Sequence, residues 1–556
     1  GINPALSTEA GKGAADLSDA SCAAAMAVER DWEKTPARPW LYQSPQEILT
    51  KASNGASDFG NKFGQCIICG SLLTAEFEAQ RKFGFDKVIM LAGGVGYAKK
   101  RDALKEKPAV GDKVVLLGGD NYRIGMGGGA VSSVDTGQYA NAIELNAIQR
   151  SNPEMQKRAY NAIRAIAESE NNTIISVHDH GAGGHLNCLS ELVEETGGNI
   201  DISKLPVGDP TLSLKEIIGN ESQERMGLVM QEKDIEELKA IADRERSPMY
   251  VIGETTGEHN FTLRNEKTGE AAIDLAMEDM FGSAPKTYMK DVTADYTYAP
   301  LAYDPAKFEY YVGQVLQLES VACKDWLTNK VDRSVTGLIA GQQTCGEIQL
   351  PLNNLGVTAI GYNNKEGIAT SMGHAPMVAM VDSAAGSRMA ISEALTNVVW
   401  APLKDGIKGI SLSANWMWPC RNEGEDTRLF KAVKGASDFS CALGINIPTG
   451  KDSMSMTQKY PSGEKVLSPG TVIISTVAPV EDINKIVHPA LQNNPDSVLM
   501  YIPFVDGAAS AAAGSDAKEA FPLGGSAFAQ TLNCIGDDVP TVANPEYFAE
   551  AFDAVQ

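Results

Sequence analysis

Residues 173–198, TIISVHDHGAGGHLNCLSELVEETGG, set three histidines and an aspartate beside a glycine cluster, where an apolar run gives way to a helical one. Three readings suit these residue types. Zinc needs three or four ligands with outer-shell support. If the strand continues, His178 and His180 share one face, Asp179 points to the other, and His185 stands beyond a flexible turn. A carboxylate at a strand end beside a glycine turn suits Mg2+ instead, because hard oxygen ligands hold that ion while water and substrate phosphates fill its remaining positions. The third reading is a tight turn that is simply rich in histidine.

Two further stretches carry polar chemistry. In GGDNYRIGMGGGAVSS (118–133) the glycines permit positive φ and close backbone approach, so several N–H groups can converge on an anion. If 130–149 continues as a helix, its N-terminus adds partial positive charge. The spacing is neither a P-loop nor a dinucleotide fingerprint, and a phosphate site and a packing turn stand level. Downstream, IIGNESQERMGLV (217–229) packs Glu221, Ser222, Gln223, Glu224 and Arg225 between apolar runs, as a solvated loop or as a reader of a polar ligand. In SEALTN (392–397), Glu393 and Asn397 stand at i and i+4, so on a helix both oxygens can meet one ion.

The elements that must position these residues alternate coarsely. Apolar β-type runs are expected at 66–69, 88–92, 114–117, 174–177, 335–339, 472–477 and 498–502, with amphipathic helices such as 153–169 and 233–244 between them. The fold class is therefore mixed α/β and α+β. There is also an internal echo. GFDKVIMLAGG is followed after 26 residues by GDKVVLLGG, counting from Val88 to Val114, and SPGTVIISTVA is followed after 26 by DSVLMYI, counting from Val472 to Val498. Glycine turns precede each pair and glycine clusters follow it, with an insertion, DGAASAAAGSDAKEA, lengthening the second gap. This favours two copies of one fold, the second ending early, with 1–48 as an extension.

Length and charge bound the rest. A chain of 556 residues is too long for one core. With 43% hydrophobic and 21% charged residues it is an ordinary globular composition, and no window approaches a membrane span. A net charge of −23 opposes sequence-independent binding to nucleic acid or anionic membrane. Nine scattered cysteines read as reduced cytosolic thiols. Cys66 and Cys69, separated by two isoleucines and lacking a second pair, read as a buried strand rather than a zinc half-site. The chain opens at Gly1 without a methionine, the mark of a processed or truncated polypeptide.

Six motifs occur in order: SVHDHGAGGHLNCLSELVEETGG, GNESQERM, DRSVTGL (332–338), SEALTN, LSANWMWP (412–419) and PTGKDSMSM (448–456). Together they closely resemble the large, single-chain phosphoribosylformylglycinamidine synthases, from about residue 31 to about 530. The resemblance implies a duplicated fold like that of aminoimidazole ribonucleotide synthetase. The N-terminal halves of the repeats pair into a central β-barrel, and the C-terminal α+β halves pack outside. It implies a linker or extension over 1–48, the first repeat's halves over 49–147 and 148–300, the second N-terminal half over 305–485, and the start of a second C-terminal half over 490–556. The implied reaction converts formylglycinamide ribonucleotide, ATP and glutamine into the amidine, ADP, phosphate and glutamate, in the cytoplasm, with Mg2+.

Carried onto this sequence, the resemblance makes Asp179 the active-site Mg2+ ligand, with the histidines around it in orientation and packing. Gln149, Glu221, Ser222, Gln223 and Ser453 become substrate-binding residues. Gly11, Lys12, Gly13, Asn353 and Gly450 become nucleotide-binding ones. Glu393 and Asn397 become Mg2+ ligands of a second, non-catalytic ADP site. Asn354 stands where some members carry a metal-binding aspartate, and a neutral amide is the weaker ligand. The family's catalytic His motif and its glutaminase Cys-His-Glu set are not found. The 556 residues are therefore expected to be an internal fragment, inactive alone, with the N-terminal and glutaminase domains as missing partners. The alternatives are a nucleotide-binding structural module that keeps only the second site, and a related superfamily enzyme such as thiamine-monophosphate kinase or selenophosphate synthetase.

Overall fold

The structure is a computed structural model that describes residues 32, 38, 43–65, 67, 70–328, 335–504 and 521–556. Gly11, Lys12 and Gly13, the Cys66–Cys69 pair, the first three residues of DRSVTGL and the insertion after residue 505 lie outside the described residues. Contacts divide the chain into two compact units, one of residues 94–134 and 138–288, the other of the rest. Each is taken by itself.

The strands, in chain order, are β1 (Glu76–Glu78), β2 (Lys82–Gly84), β3 (Lys113–Leu117), β4 (Ile174–His180), β5 (Gly198–Asp201), β6 (Ser222–Met230), β7 (Met249–Thr255), β8 (Asn260–Arg264) and β9 (Ala271–Ala276). They continue as β10 (Ile339–Gly341), β11 (Gly356–Ala359), β12 (Gly367–Gly373), β13 (Ser411–Met417), β14 (Asn446–Ser453), β15 (Thr457–Lys459), β16 (Lys465–Leu467) and β17 (Thr471–Val480). The helices used below are α1 (Pro45–Phe63), α2 (Pro153–Ala167), α3 (Gly184–Leu192), α4 (Ile235–Glu245), α5 (Ser383–Val398) and α6 (Glu425–Leu443).

The smaller unit is built on a seven-stranded sheet in the order β4-β6-β3-β7-β5-β8-β9. The interior strand β3 shows why KVVLL is apolar throughout. Val114 and Leu116 enter one core with Leu189 and Leu192 of α3, while Val115 and Leu117 enter another with Ala159, Ala162 and Ile166 of α2 and Leu238 of α4. Alternate side chains of a strand face opposite sides, so a strand covered on both faces has no polar position to spare.

The larger unit carries a six-stranded sheet, β10-β11-β12-β17-β13-β14, whose core draws on α5 and α6. It also has a four-stranded sheet, β1-β2-β16-β15, in which Phe83 pairs with Leu467 across 384 positions of sequence. Segments from the two expected N-terminal halves thus share a sheet. None of the three sheets closes among the described strands, so the expected barrel is not formed by them. Sequence order explains α1 directly: Ser44 and Glu47 form a reciprocal capping box, Pro45 opens the helix, and Gly64 ends it at φ 71°.

Some expected elements differ. Residues 88–92 are not a strand; Met90 is 70% exposed and the run has no ladder partner. Residues 498–502 are likewise irregular and exposed. The run at 335–339 becomes a strand only from Ile339. Each half of the echo therefore keeps one strand, at 114 and at 472. The helix considered over 130–149 is two short turns, Gly128–Ser132 and Asn141–Asn146.

Candidate functional site

In the smaller unit the ends of β4 and β6 meet. His180 pairs with Ser222 and Asp179 with Met226, so residues 223–225 bulge from the ladder opposite a single step of β4. Bulges re-aim side chains and are common beside sites. Gln223 is turned to solvent, while Ser222, Glu224 and Arg225 are buried. Arg150 bridges to Ser222, which brings Gln149 to the same corner.

The centre of this corner is Glu221, 2% exposed. Its Oε1 accepts from the backbone N–H of Gly129 at 2.9 Å and of Gly183 at 3.1 Å, and its Oε2 accepts from Gln149 Nε2 at 3.0 Å. Both glycine clusters therefore close on one carboxylate of the protein itself. A Cβ on Gly128 would sit 2.5 Å from Glu221 Oε2, so the loop can wrap the carboxylate only without a side chain there. Of the N–H groups expected to converge at 118–133, that of Gly129 reaches Glu221, and its companion there comes from Gly183 in the other glycine cluster.

Asp179 stands exposed at the end of β4, with Oδ1 accepting from Gly181 N–H at 2.7 Å. The three histidines do not gather around it. His178 Nε2 lies 2.5 Å from Glu191 Oε2, whereas His180 and His185 are fully buried and meet edge to face at 4.7 Å. Burial, with the Arg225 charge beside them, pushes both buried imidazoles well below their ordinary pKa and keeps them neutral. No group of three or more His, Cys, Asp or Glu among the described residues is placed to hold a metal. An exposed carboxylate suits a cation that takes most of its ligands from water and phosphate, and a lone oxygen donor fits Mg2+ better than zinc.

In the larger unit, Glu393 and Asn397 lie one turn apart on α5 and both reach the end of β12. Glu393 Oε2 accepts from His374 N–H at 2.6 Å, and Asn397 Nδ2 donates to Met372 O at 3.1 Å. A Cβ on Gly373 would strike the α5 backbone, which lets helix and strand approach this closely. Its surroundings raise the Glu393 pKa by desolvation, offset by the His374 ring and N–H. The His374 ring also meets Ser71, with Nε2 2.6 Å from Oγ. Asn353 is buried, its Oδ1 accepting from Leu355 N–H at 3.2 Å and its amide 3.1 Å from His488 Nδ1, while Asn354 is exposed beside it. Gly450 lies against Ala414 of β13, and Ser453 accepts from Trp418 N–H through its carbonyl at 2.9 Å.

Sequence reasoning singled out His185 and Arg225 but missed Asn121 and Asn220, which hold the corner together with them. Asn121, Asn220, His185 and Arg225 form a buried hydrogen-bonded group. The signal for it was an arginine closing the polar stretch at the start of β6, just before its apolar run.

Residues 109–265 match the AIR synthase related protein C-terminal domain family, and residues 323–479 match the FGAR-AT PurM_N-like domain family. The chain is 38% identical over 544 residues to the probable phosphoribosylformylglycinamidine synthase, chloroplastic/mitochondrial, of Arabidopsis thaliana. It is 37% identical over 531 residues to the probable phosphoribosylformylglycinamidine synthase of Caenorhabditis elegans. Each alignment takes in 94% of this chain, which spans only 38% and 39% of those relatives' lengths. Among solved structures it is similar to T. maritima PurL complexed with FGAR (TM-score 0.58, 18% identity, 80% of this chain and 66% of that one). It is also similar to T. maritima PurL complexed with ATP (TM-score 0.56, 18% identity, 80% and 65%). At such identity these structures establish the fold alone.

Proposed function

We propose that this chain, which belongs to the phosphoribosylformylglycinamidine synthase family, supplies the substrate-holding part of that family's ATP-dependent ligase. The single observation that carries the reading is the convergence of Asp179, Gln149, Glu221, Ser222 and Gln223 on one sheet corner from three separate stretches of sequence.

In the proposed reaction a phosphoryl group passes from ATP to the glycinamide carbonyl oxygen of formylglycinamide ribonucleotide, leaving ADP and activating that carbonyl carbon. Ammonia derived from glutamine then attacks that carbon, and phosphate departs with the C–O bond. Mg2+, when bound at Asp179, shields phosphate charge during the transfer. The chain's own residues do the holding. Gln149 is kept in place by Glu221 and, with Gln223, offers amide groups to a ligand rich in polar atoms. The buried bulge beneath keeps the corner rigid, as positioning requires. Glu393 and Asn397, with Asn354, would in the same reading hold Mg2+ at a second nucleotide site, where the ion would offset ADP phosphate charge, while Asn353 and Gly450 contact nucleotide and Ser453 contacts substrate. The repeat halves follow the boundaries given by the resemblance, the setting is cytoplasmic, and ammonia comes from a glutaminase domain.

Among the described residues no helix is long and apolar enough to cross a membrane. Calorimetric titration of the chain with formylglycinamide ribonucleotide tests the proposal. Saturable binding that strengthens with Mg2+ supports it, and absence of binding at millimolar ligand removes it.

A further inference from the structure

Arg225 is 0% exposed, and among the described residues no carboxylate lies within ion-pair distance of it. The neighbouring Glu224 is taken by Arg150 and by the Ser222 hydroxyl. The guanidinium instead donates to neutral groups. Nη2 reaches Asn220 O at 2.9 Å and Asn220 Oδ1 at 2.5 Å, while Nη1 reaches His185 Nε2 at 2.7 Å and Asn121 Oδ1. Burial lowers its pKa to about 10 and so leaves it charged at neutral pH. A buried cation with no direct ion pair, on which Glu224 and Asp120 act only through space, adds little stability and is better explained by geometry it defines.

That geometry can be followed bond by bond. Asn220 Nδ2 donates to Tyr122 O and Ile124 O, each at 2.8 Å. Glu221 N–H donates to Gly125 O at 2.8 Å, and Asn121 Nδ2 donates to Pro206 O at 2.7 Å. The arginine therefore fastens the glycine loop at 121–125 to the turn that carries Glu221.

We infer that Arg225 is a positioning residue for the Glu221–Gln149 corner, clamping two loops so that both glycine turns close on Glu221; the inference rests on the substrate-holding reading above. Lysine would keep the charge but has one nitrogen, which cannot span Asn121, Asn220 and His185 together.

The test measures amide exchange at Gly129 and Gly183, exchange at Val114–Leu117 as a control for the fold, and affinity for formylglycinamide ribonucleotide. In Arg225→Lys, exchange at both glycines should quicken and affinity should weaken, each by about tenfold, with the β3 amides unchanged. Asn220→Ala, which removes the partner and leaves the charge, should do the same and serves if the lysine variant does not fold. Unchanged exchange at the two glycines in a folded variant, or equal loosening of β3, overturns the inference. If the wild-type chain binds no ribonucleotide, the functional reading fails, and the exchange measurements still decide whether the clamp exists.

Discussion

Gln149 Nε2 donates to Glu221 Oε2 at 3.0 Å, while the other oxygen of the same carboxylate accepts two glycine N–H groups. One buried acid thereby sets the orientation of a side-chain amide and the closure of two loops. Glu221→Gln replaces one acceptor oxygen with a donor, so either one of these N–H groups faces another or the Gln149 amide turns over and loses the orientation Glu221 gives it. Leaving a buried donor unsatisfied costs about 1–3 kcal/mol. The variant should bind formylglycinamide ribonucleotide about tenfold or more weakly, and the amide resonances of Gly129 and Gly183 should shift, as NMR titration would show. Unaltered resonances would mean that the carboxylate does not organise the turns.

Asp179→Asn should leave the fold intact, because the residue is exposed and its amide oxygen can still accept from Gly181 N–H. What should disappear is the Mg2+ dependence of ligand binding, measured by titration at several Mg2+ concentrations. A zinc-selective chelator should have no effect on the wild-type chain. Loss of binding on zinc chelation would restore the three-histidine reading.

Much of this corner was legible in the sequence, for physical reasons that also mark where legibility ends. KVVLL reads as a doubly buried strand because local hydrophobicity alone dictates it. VIMLA has the same local character, yet it is exposed, because a strand also needs a neighbour and none pairs with it. The glycines at 125–129 showed that backbone amides could converge, but not on what; the answer, Glu221, lies some ninety residues downstream. Arg225 was visible as one charge of a polar stretch between apolar runs, whereas its partners come from stretches that only the folded sheet brings together.

At the second site, ADP with Mg2+ should raise the melting temperature slightly, since binding to the folded state alone stabilises by RT ln(1 + [L]/Kd). Glu393→Gln should abolish the rise, because it weakens the only carboxylate of the Glu393–Asn397 pair. A large rise that survives the substitution would place the nucleotide elsewhere.

A structural prediction concerns Asp291, whose carboxylate accepts from Gly424 N–H at 2.9 Å and Asp426 N–H at 3.0 Å and so caps α6 from far along the chain. Asp291→Ala should destabilise the larger unit by about 1–2 kcal/mol in thermal or denaturant unfolding. Burial alone would raise this carboxyl's pKa, but the backbone N–H donors outweigh it and hold the pKa below the ordinary value. A depressed folded-state pKa stabilises above the unfolded value and is lost as pH falls through the folded one. The difference between wild type and variant should therefore shrink in acid. A difference independent of pH would mean that the charge of the cap is unimportant.

The most direct test of the central claim is calorimetric titration of formylglycinamide ribonucleotide, with Mg2+, into the wild-type chain, Gln149→Ala and Glu393→Gln. If the corner of β4 and β6 holds the substrate, Gln149→Ala should lose about tenfold or more in affinity while Glu393→Gln binds as wild type does. Equal affinity in wild type and Gln149→Ala, or no binding to the wild-type chain, would contradict the account.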